Sequence, residues 1–215
     1  MNSEFLDISE IFLSLQGESS LAGVPCVFVR LAGCDLRCYW CDTSYAFSGG
    51  TRMNLEEILQ EVAKYQVRLV EITGGEPLLQ GNSLKLMDRL LDSGYRVMLE
   101  TGGHKSIAEV DRRVKIICDI KCPGSGMAGK NLWENLSLLK PDDEIKFVLA
   151  GRDDYNWAVD IVRKYNLGSS HTVLFSPVEE HLPVRDLAEW ILRDRVPVRL
   201  QVQLHRVIWG GERGR

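Results

Sequence analysis

Strand-like apolar runs and amphipathic helical runs alternate along almost the whole chain, and this rhythm restricts its possible folds more than any other feature. "VFVRLAG" (27–33) is followed by "NLEEILQEVAKYQ" (54–66), whose Leu55, Ile58, Leu59 and Val62 keep the spacing of one helical face. Asn54, with Glu57 three residues on, predicts a capping box at the helix start. The series continues with strand-like "LVEIT" (69–73), helical "SLKLMDRLLDSG" (83–94), and the strands "RVMLE" (96–100) and "VKIICDI" (114–120). Helical "NLWENLSLL" (131–139), strand "DEIKFVLA" (143–150), helical "DDYNWAVDIVRKYN" (153–166) and strand "TVLFS" (172–176) follow. Helical "PVRDLAEWILRD" (183–194) and strand "VRLQVQL" (198–204) close the series. Such alternation calls for parallel strands with helices packed outside them. About six or seven strands fit, short of a closed eight-stranded barrel. The expected fold is therefore α/β, a partial, open parallel β/α barrel, with a doubly wound sheet as the alternative. No linker or composition shift divides the 215 residues, so they read as a single domain, 1–215.

In either architecture ligands gather in the loops that leave the carboxyl ends of the strands. Those loops are "GCDLRCYWCDT" (33–43), "TGGEP" (73–77), "ETGG" (100–103), "DIKCPG" (119–124) and "SPV" (176–178). A net charge of −4 argues against a nucleic-acid binder, which needs clustered Lys and Arg. No apolar run is long enough to span a bilayer. The acidic start "MNSEFLDISE" lacks a secretory pattern, so a cytoplasmic location is expected, where six cysteines read as ligands, nucleophiles or core residues before disulfides.

Cys34, Cys38 and Cys41 form a C-x3-C-x2-C loop directly after a strand. Three soft thiolates this close suit an iron–sulfur cluster or zinc. Structural zinc normally closes with a fourth ligand from a second short-spaced pair, and no such pair is present. Cys118 falls within a strand, and it and Cys122 are read as non-ligands. A four-iron cluster on three thiolates leaves one iron open to a small molecule.

With Trp40 just before the third cysteine and "GGEP" at 74–77, the loop resembles the signature of radical S-adenosylmethionine (SAM) enzymes. The resemblance implies a [4Fe-4S] cluster on Cys34, Cys38 and Cys41, with SAM on the open iron. One electron then cleaves SAM to methionine and a 5′-deoxyadenosyl radical, which takes a hydrogen from substrate. Within that superfamily, "SLQGESSLAGVPCVFVRLAGCDLRCYWCDT" (14–43), "DIKCPGSG" (119–126) and "QLHR" (203–206) resemble the 7-carboxy-7-deazaguanine synthase family. Its members convert 6-carboxy-5,6,7,8-tetrahydropterin to 7-carboxy-7-deazaguanine with release of ammonia, on the route to queuosine. They regenerate SAM and need Mg2+. A homodimer, and an electron donor such as flavodoxin, are further expectations of the resemblance.

Carried over by position, the resemblance implies that Leu15, Gln16, Gly17 and Glu18 hold the pterin, Arg30 pairs with its carboxylate and Thr73 touches it. Trp40, Cys41, Asp42 and Gly75 would contact SAM, and Glu76 would pair with its ammonium. Asp119, Ile120, Lys121, Ser176 and Pro177 would meet its ribose and adenine. Thr43 would give its hydroxyl to Mg2+. On local grounds alone, Thr43 could cap the turn after Cys41, and residues 16–18 could form an ordinary hairpin turn. His205 is expected to satisfy a strand end, and Trp157, Tyr165 and Trp190 to be core aromatics. Ser19 and Asp35 stand where the family usually has Gly and Asn, and Arg206 replaces a Lys. "WGGERGR" resembles the family's ending, where a terminal carboxylate contacts substrate in some members.

Overall fold

The computed structural model describes residues 4–215. Nine strands form one sheet: β1 (Phe5–Leu15), β2 (Pro25–Leu31), β3 (Thr51–Asn54), β4 (Leu69–Gly74), β5 (Arg96–Thr101), β6 (Lys115–Ile120), β7 (Glu144–Leu149), β8 (Thr172–Pro177) and β9 (Arg199–Leu200). Their order is β3-β1-β2-β4-β5-β6-β7-β8-β9. From β2 through β9 every pairing is parallel, while β1 runs antiparallel to both β2 and β3. The sheet ends in two different edge strands, so the barrel is open, as the alternation predicts. A strand pairing with β2 through a hairpin, β1, precedes the first strand read from the sequence.

Helices α1 (Leu55–Lys64), α2 (Asn82–Asp92), α3 (Arg152–Lys164), α4 (Leu167–Ser170) and α5 (Val184–Asp194) follow, and α6 (Leu204–Trp209) closes the chain. The capping box on α1 is present: Glu57 N–H donates to Asn54 Oδ1 at 2.9 Å, and Asn54 N–H to Glu57 Oε2 at 2.8 Å. Leu55, Ile58 and Val62 turn their side of α1 into the core.

Strand alternation divides the sheet into two faces. Val27, Val29 and Leu31 of β2, Val70 and Ile72 of β4, and Val97 and Leu99 of β5 join the large core beneath the helices. The opposite face begins apolar, with Cys26, Phe28, Leu69, Met98 and Ile117 in a second small core. Two or four residues further along the same strands it turns polar, with Arg30, Glu71, Thr73, Glu100 and Asp119, joined by Lys146 of β7 and Ser176 of β8. That change marks where packing ends and the site begins.

Two sequence expectations change. The 131–139 segment is a short 3-10 turn, Trp133–Ser137, rather than an α-helix. Asn135 is buried there and bonds outward to Ile107 N–H and to the Gly103 and Lys105 carbonyls, a tertiary use of the side chain that overrides helical periodicity. The 198–204 segment keeps only two strand residues. The chain then turns into α6, whose Leu204 N–H donates to the Gly17 carbonyl at 2.8 Å and docks the C-terminal region on the β1–β2 loop.

Candidate active site

The inner face and the loops at the carboxyl ends of the parallel strands enclose a cavity of about 490 Å3. Every site residue singled out from the sequence lines it, from Leu15 on the hairpin to Ser176 and Pro177 at the end of β8. It has two dissimilar walls.

The first wall is the cysteine loop. Tyr39 N–H donates to the Ser125 carbonyl at 3.2 Å, and Arg37 holds the Cys34 carbonyl at 2.7 Å, so the loop is tied both to itself and to the segment after β6. Burial pushes the Cys34, Cys38 and Cys41 thiols up, and the nearby Lys121 ammonium opposes it at all three. Lys121 is itself anchored to Asp119 Oδ2 at 2.9 Å. A cation facing three otherwise hard-to-ionise thiols is suited to stabilise them as thiolate ligands. Among the described residues, no three His, Cys, Asp or Glu side chains converge on one point as ligands of a single ion would. A cubane asks instead for one thiolate per iron. Asp119 Oδ1 is buried without a hydrogen-bond partner, an unfilled acceptor on the cavity wall that a ribose hydroxyl would satisfy. The residues therefore fit both a cluster and a nucleoside-bearing cofactor.

The glycine-rich loop after β4 packs on this wall. A Cβ on Gly75 would overlap the Gly33 carbonyl oxygen and lie 3.0 Å from Cys34 Cβ. Glu76 N–H donates to that same Gly33 carbonyl at 2.8 Å. The lost side chain at 75 thus first serves contact with the cysteine loop, a reason different from the approach to SAM that the sequence suggested. Glu76, expected to receive an ammonium, is fully buried and accepts from Leu78 N–H at 3.0 Å, Thr101 O–H at 2.9 Å and Gly102 N–H at 2.8 Å. Its carboxylate staples the loop after β4 to the loop after β5. The His104 side chain, 4% exposed, adds a brace through Nε2, 2.6 Å from Asp35 Oδ1, while its Nδ1 lies 3.5 Å from Glu76 Oε2 without a hydrogen bond.

The second wall is built from charged side chains. Lys146 Nζ donates to Glu18 Oε2 at 2.8 Å and to Glu100, and lies 3.8 Å from Asp119. Against the cost of burial, Lys146 holds Glu100 below the usual carboxylate range. Glu71, deeper on β4, goes the other way: burial, then the Glu100 charge, raise it well above the ordinary value. Gln16 donates its side-chain amide to Glu71 and accepts from Glu18 N–H at 3.1 Å. Both ends of that amide are thereby engaged within the protein.

Arg30 is paired through Nε with Glu10 Oε1 at 2.8 Å, and Tyr45 donates its hydroxyl to the same oxygen at 2.7 Å. That bond engages Nε of a guanidinium that lines the cavity. Arg213 lies 4.0 Å over the Tyr45 ring, bringing the 210–215 segment onto the cavity rim. Thr43 donates its hydroxyl to Asp42 Oδ1 at 2.6 Å, so two hard oxygen donors stand together at the mouth. Against desolvation there, the Thr43 hydroxyl, Lys146, Gln203 and Arg206 keep Asp42 below its ordinary value.

His205 does not close a strand end. It sits on α6 against Gly17, where a Cβ would overlap its imidazole. Ser19 holds a left-handed φ of +64°, which explains why a glycine suits that position. Cys118 and Cys122 are buried among core residues, and Trp157, Tyr165 and Trp190 pack against the same core.

Sequence reasoning missed Lys146, Glu71, Glu100 and His104. Three carried a readable signal: a lone charge inside "DEIKFVLA", "LVEIT" or "RVMLE" is costly on a buried strand unless it is paired. His104 carried none, because its partners Asp35 and Glu76 come from other loops.

The profile of the Radical SAM superfamily matches residues 29–191, from β2 to α5. A Koribacter versatilis (strain Ellin345) protein named 7-carboxy-7-deazaguanine synthase is 47% identical over 222 residues, spanning 96% of this chain and 98% of its own. A Chlorobaculum tepidum protein of the same name is 48% identical over 207 residues, spanning 95% and 94%. In three dimensions the crystal structure of QueE from Escherichia coli superposes with a TM-score of 0.78 over 94% of this chain and 95% of that one, at 24% identity, which speaks to the fold. With a cysteine loop, a glycine-rich brace and full-length similarity in agreement, the chain belongs to the radical SAM superfamily and, within it, to the 7-carboxy-7-deazaguanine synthase family.

Proposed function

We propose that the enzyme converts 6-carboxy-5,6,7,8-tetrahydropterin to 7-carboxy-7-deazaguanine with release of ammonia, as a step of queuosine biosynthesis. The observation that carries this reading is the meeting, in one cavity, of the three-thiol loop with a wall offering both a cation and carboxylates to a small polar ligand. When bound, the [4Fe-4S] cluster and SAM supply one-electron chemistry able to take a hydrogen atom from substrate.

Cys34, Cys38 and Cys41 hold the cluster, with Lys121 favouring their ionised form. Trp40, Cys41, Asp42 and Gly75 border the methionyl part of SAM, and Asp119, Ile120, Lys121, Ser176 and Pro177 border its nucleoside. Glu76 acts on that region by fixing the loops. Arg30, oriented by Glu10 and Tyr45, binds the pterin carboxylate through its free guanidinium edge. Leu15, Gln16, Gly17 and Glu18 line the pyrimidine side, where Glu18 accepts N–H donors, and Thr73 supports them through its 3.1 Å bond to Glu100. Together these groups hold a small substrate in one orientation, which is what a hydrogen transfer between fixed atoms requires.

Mg2+ is held at Thr43, with Asp42 as its neighbouring oxygen donor; both are hard ligands that leave positions for water and substrate. A flavodoxin-like donor supplies the electron. Tyr39, 83% exposed on the cysteine loop, marks the outer face from which it would arrive. The working form is a cytoplasmic homodimer.

The test is anaerobic incubation of the reconstituted protein with SAM, a low-potential reductant and the carboxytetrahydropterin. Deazaguanine product is expected, whereas 5′-deoxyadenosine without product would refute the substrate assignment. Thr43→Ala is expected to weaken the response to added Mg2+, and an unaltered response removes Thr43 from the metal site.

A further inference from the structure

Lys146 is 5% exposed on the inner face of β7, and its ammonium is shared between two carboxylates on other elements, Glu18 of the hairpin loop and Glu100 of β5. Each carboxylate is also held at its other oxygen. Gln203 donates to Glu18 Oε1 at 2.7 Å, and Thr73 donates to Glu100 Oε2 at 3.1 Å. Neither group can rotate freely, and both line the cavity. Every carboxylate oxygen has a second lone pair, so the pinned pair still has acceptor capacity for a ligand.

We propose that Lys146 is a positioning residue that sets the cavity's preference for a donor-rich pyrimidine edge, by holding the Glu18 and Glu100 side chains together as acceptors. The proposal rests on the pterin reading given above. A 2-amino-4-oxopyrimidine presents an amino group and a ring N–H side by side, and two adjacent acceptors match that edge. A 2,4-dioxopyrimidine places a carbonyl oxygen where the amino group was, so that oxygen faces a carboxylate and is repelled.

The cation is needed because two carboxylates in one poorly solvated wall resist joint ionisation. Without Lys146, Glu100 loses the cation that favours its ionised form, takes a proton and becomes a donor. A donor there suits the dioxo ring and opposes the amino ring, so the discrimination collapses even where the cavity keeps its shape. Arginine at 146 keeps the charge and can still bridge two carboxylates, though its fork is larger than the slot.

The experiment is calorimetric titration of the anaerobically reconstituted, SAM-loaded protein with pterin-6-carboxylate and, separately, lumazine-6-carboxylate, its 2,4-dioxo counterpart. The intact protein is expected to favour the pterin by about tenfold or more, as a site does when it would otherwise leave buried polar groups unmatched. Lys146→Met is expected to bring the two affinities within about twofold, and Lys146→Arg to restore part of the preference. Iron content and SAM affinity, both read on the same samples, report whether the fold is intact. A Lys146→Met protein that keeps the original ratio overturns the proposal even if both affinities fall. Should that variant not load iron, Glu100→Gln replaces one of the two carboxylates by a neutral amide with a donor end and little change of shape, and an unchanged ratio there overturns it equally. Intact protein that binds neither compound refutes the substrate reading, whereas intact protein that binds the pterin without preference refutes this inference alone.

Discussion

The cavity's two walls are held by different physics. On the cysteine side the contacts that fix the loops are largely backbone ones: the Gly33 carbonyl receives Glu76 N–H, the Ser125 carbonyl receives Tyr39 N–H, and Gly75 lies where no side chain fits. On the charged side the contacts are ion pairs between side chains, Glu18 with Lys146 and Lys146 with Glu100. The first arrangement fixes a large cofactor cradle by shape. The second fixes the sign of charge at particular atoms. A substitution on the first wall should therefore act through loading and folding, and one on the second through selectivity and pH.

The largest contrast expected is between cysteines. Cys34→Ala, Cys38→Ala or Cys41→Ala should abolish the cluster's absorbance after reconstitution. Cys118→Ala and Cys122→Ala should retain it and cost about 1 kcal/mol, as small deletions in a packed core do. Loss of the cluster in either of the latter would make a buried thiol its fourth ligand and undo the distinction between loop and core cysteines.

Gly75→Ala should come next. Its methyl group would be driven into the Gly33 carbonyl and against Cys34 Cβ at 3.0 Å, so the glycine-rich loop and the cysteine loop must separate. A loss of about 1–3 kcal/mol in denaturant unfolding is expected, with reduced iron content. The counterpart on the charged wall is Gly17, where an added methyl would meet the His205 imidazole, a side chain, rather than backbone. Full iron loading and an unmoved denaturation midpoint would show that the two loops are less tightly coupled than this contact requires.

The two walls also differ in how visible they are in the sequence. The cysteine wall is legible because its chemistry lies in two continuous stretches, 33–43 and 73–77, and because strand ends could be located from apolar runs. The alternation likewise announces the parallel sheet and its outer helices. What escaped notice is tertiary. Lys146, Glu71 and Glu100 appear in the sequence as odd charges in apolar strands, and only the sheet order reveals that β4, β5 and β7 bring them to one face. The bracing contacts of Glu76 escaped for the same reason, since its partner Thr101 belongs to the next strand. The tail was misread because, after Gln201 N–H makes a last sheet-like bond to the Phe175 carbonyl, docking of Leu204 on Gly17 turns the chain away from β8.

A pH measurement sharpens the comparison, because only the charged wall holds a carboxyl displaced upward. Burial and the Glu100 charge raise Glu71, Gln16 opposes that, Glu18 adds to it and Lys146 opposes it. The folded protein therefore binds more protons than the unfolded chain between the ordinary glutamate value and the raised one. Glu71's contribution to stability is complete below the ordinary value and falls as pH rises through that window. Glu71→Gln keeps an oxygen to accept from Gln16 and removes the titration. Urea unfolding from about pH 5 to about pH 8 should show a shallower decline in the variant, and equal slopes would mean that Glu71 is ionised in the native state.

The smallest effect expected lies at the hairpin, beside the charged wall, and it tests how a departure from the family's usual glycine is tolerated. Ser19 holds φ at +64°, a conformation that costs a residue with a Cβ about 1–2 kcal/mol. Its hydroxyl accepts from Leu21 N–H at 3.1 Å, which returns about 1 kcal/mol. Ser19→Gly relieves the strain, loses the bond and gives the unfolded chain more freedom, so it should be neutral within about 0.5 kcal/mol. Ser19→Ala keeps the strain without the bond and should cost about 1 kcal/mol. Thermal unfolding of the pair separates the two contributions. If alanine is tolerated as well as glycine, the hydroxyl is not what allows serine here, and the loop's shape must come from the closure of Gln16 with Gly23 and Val24 instead.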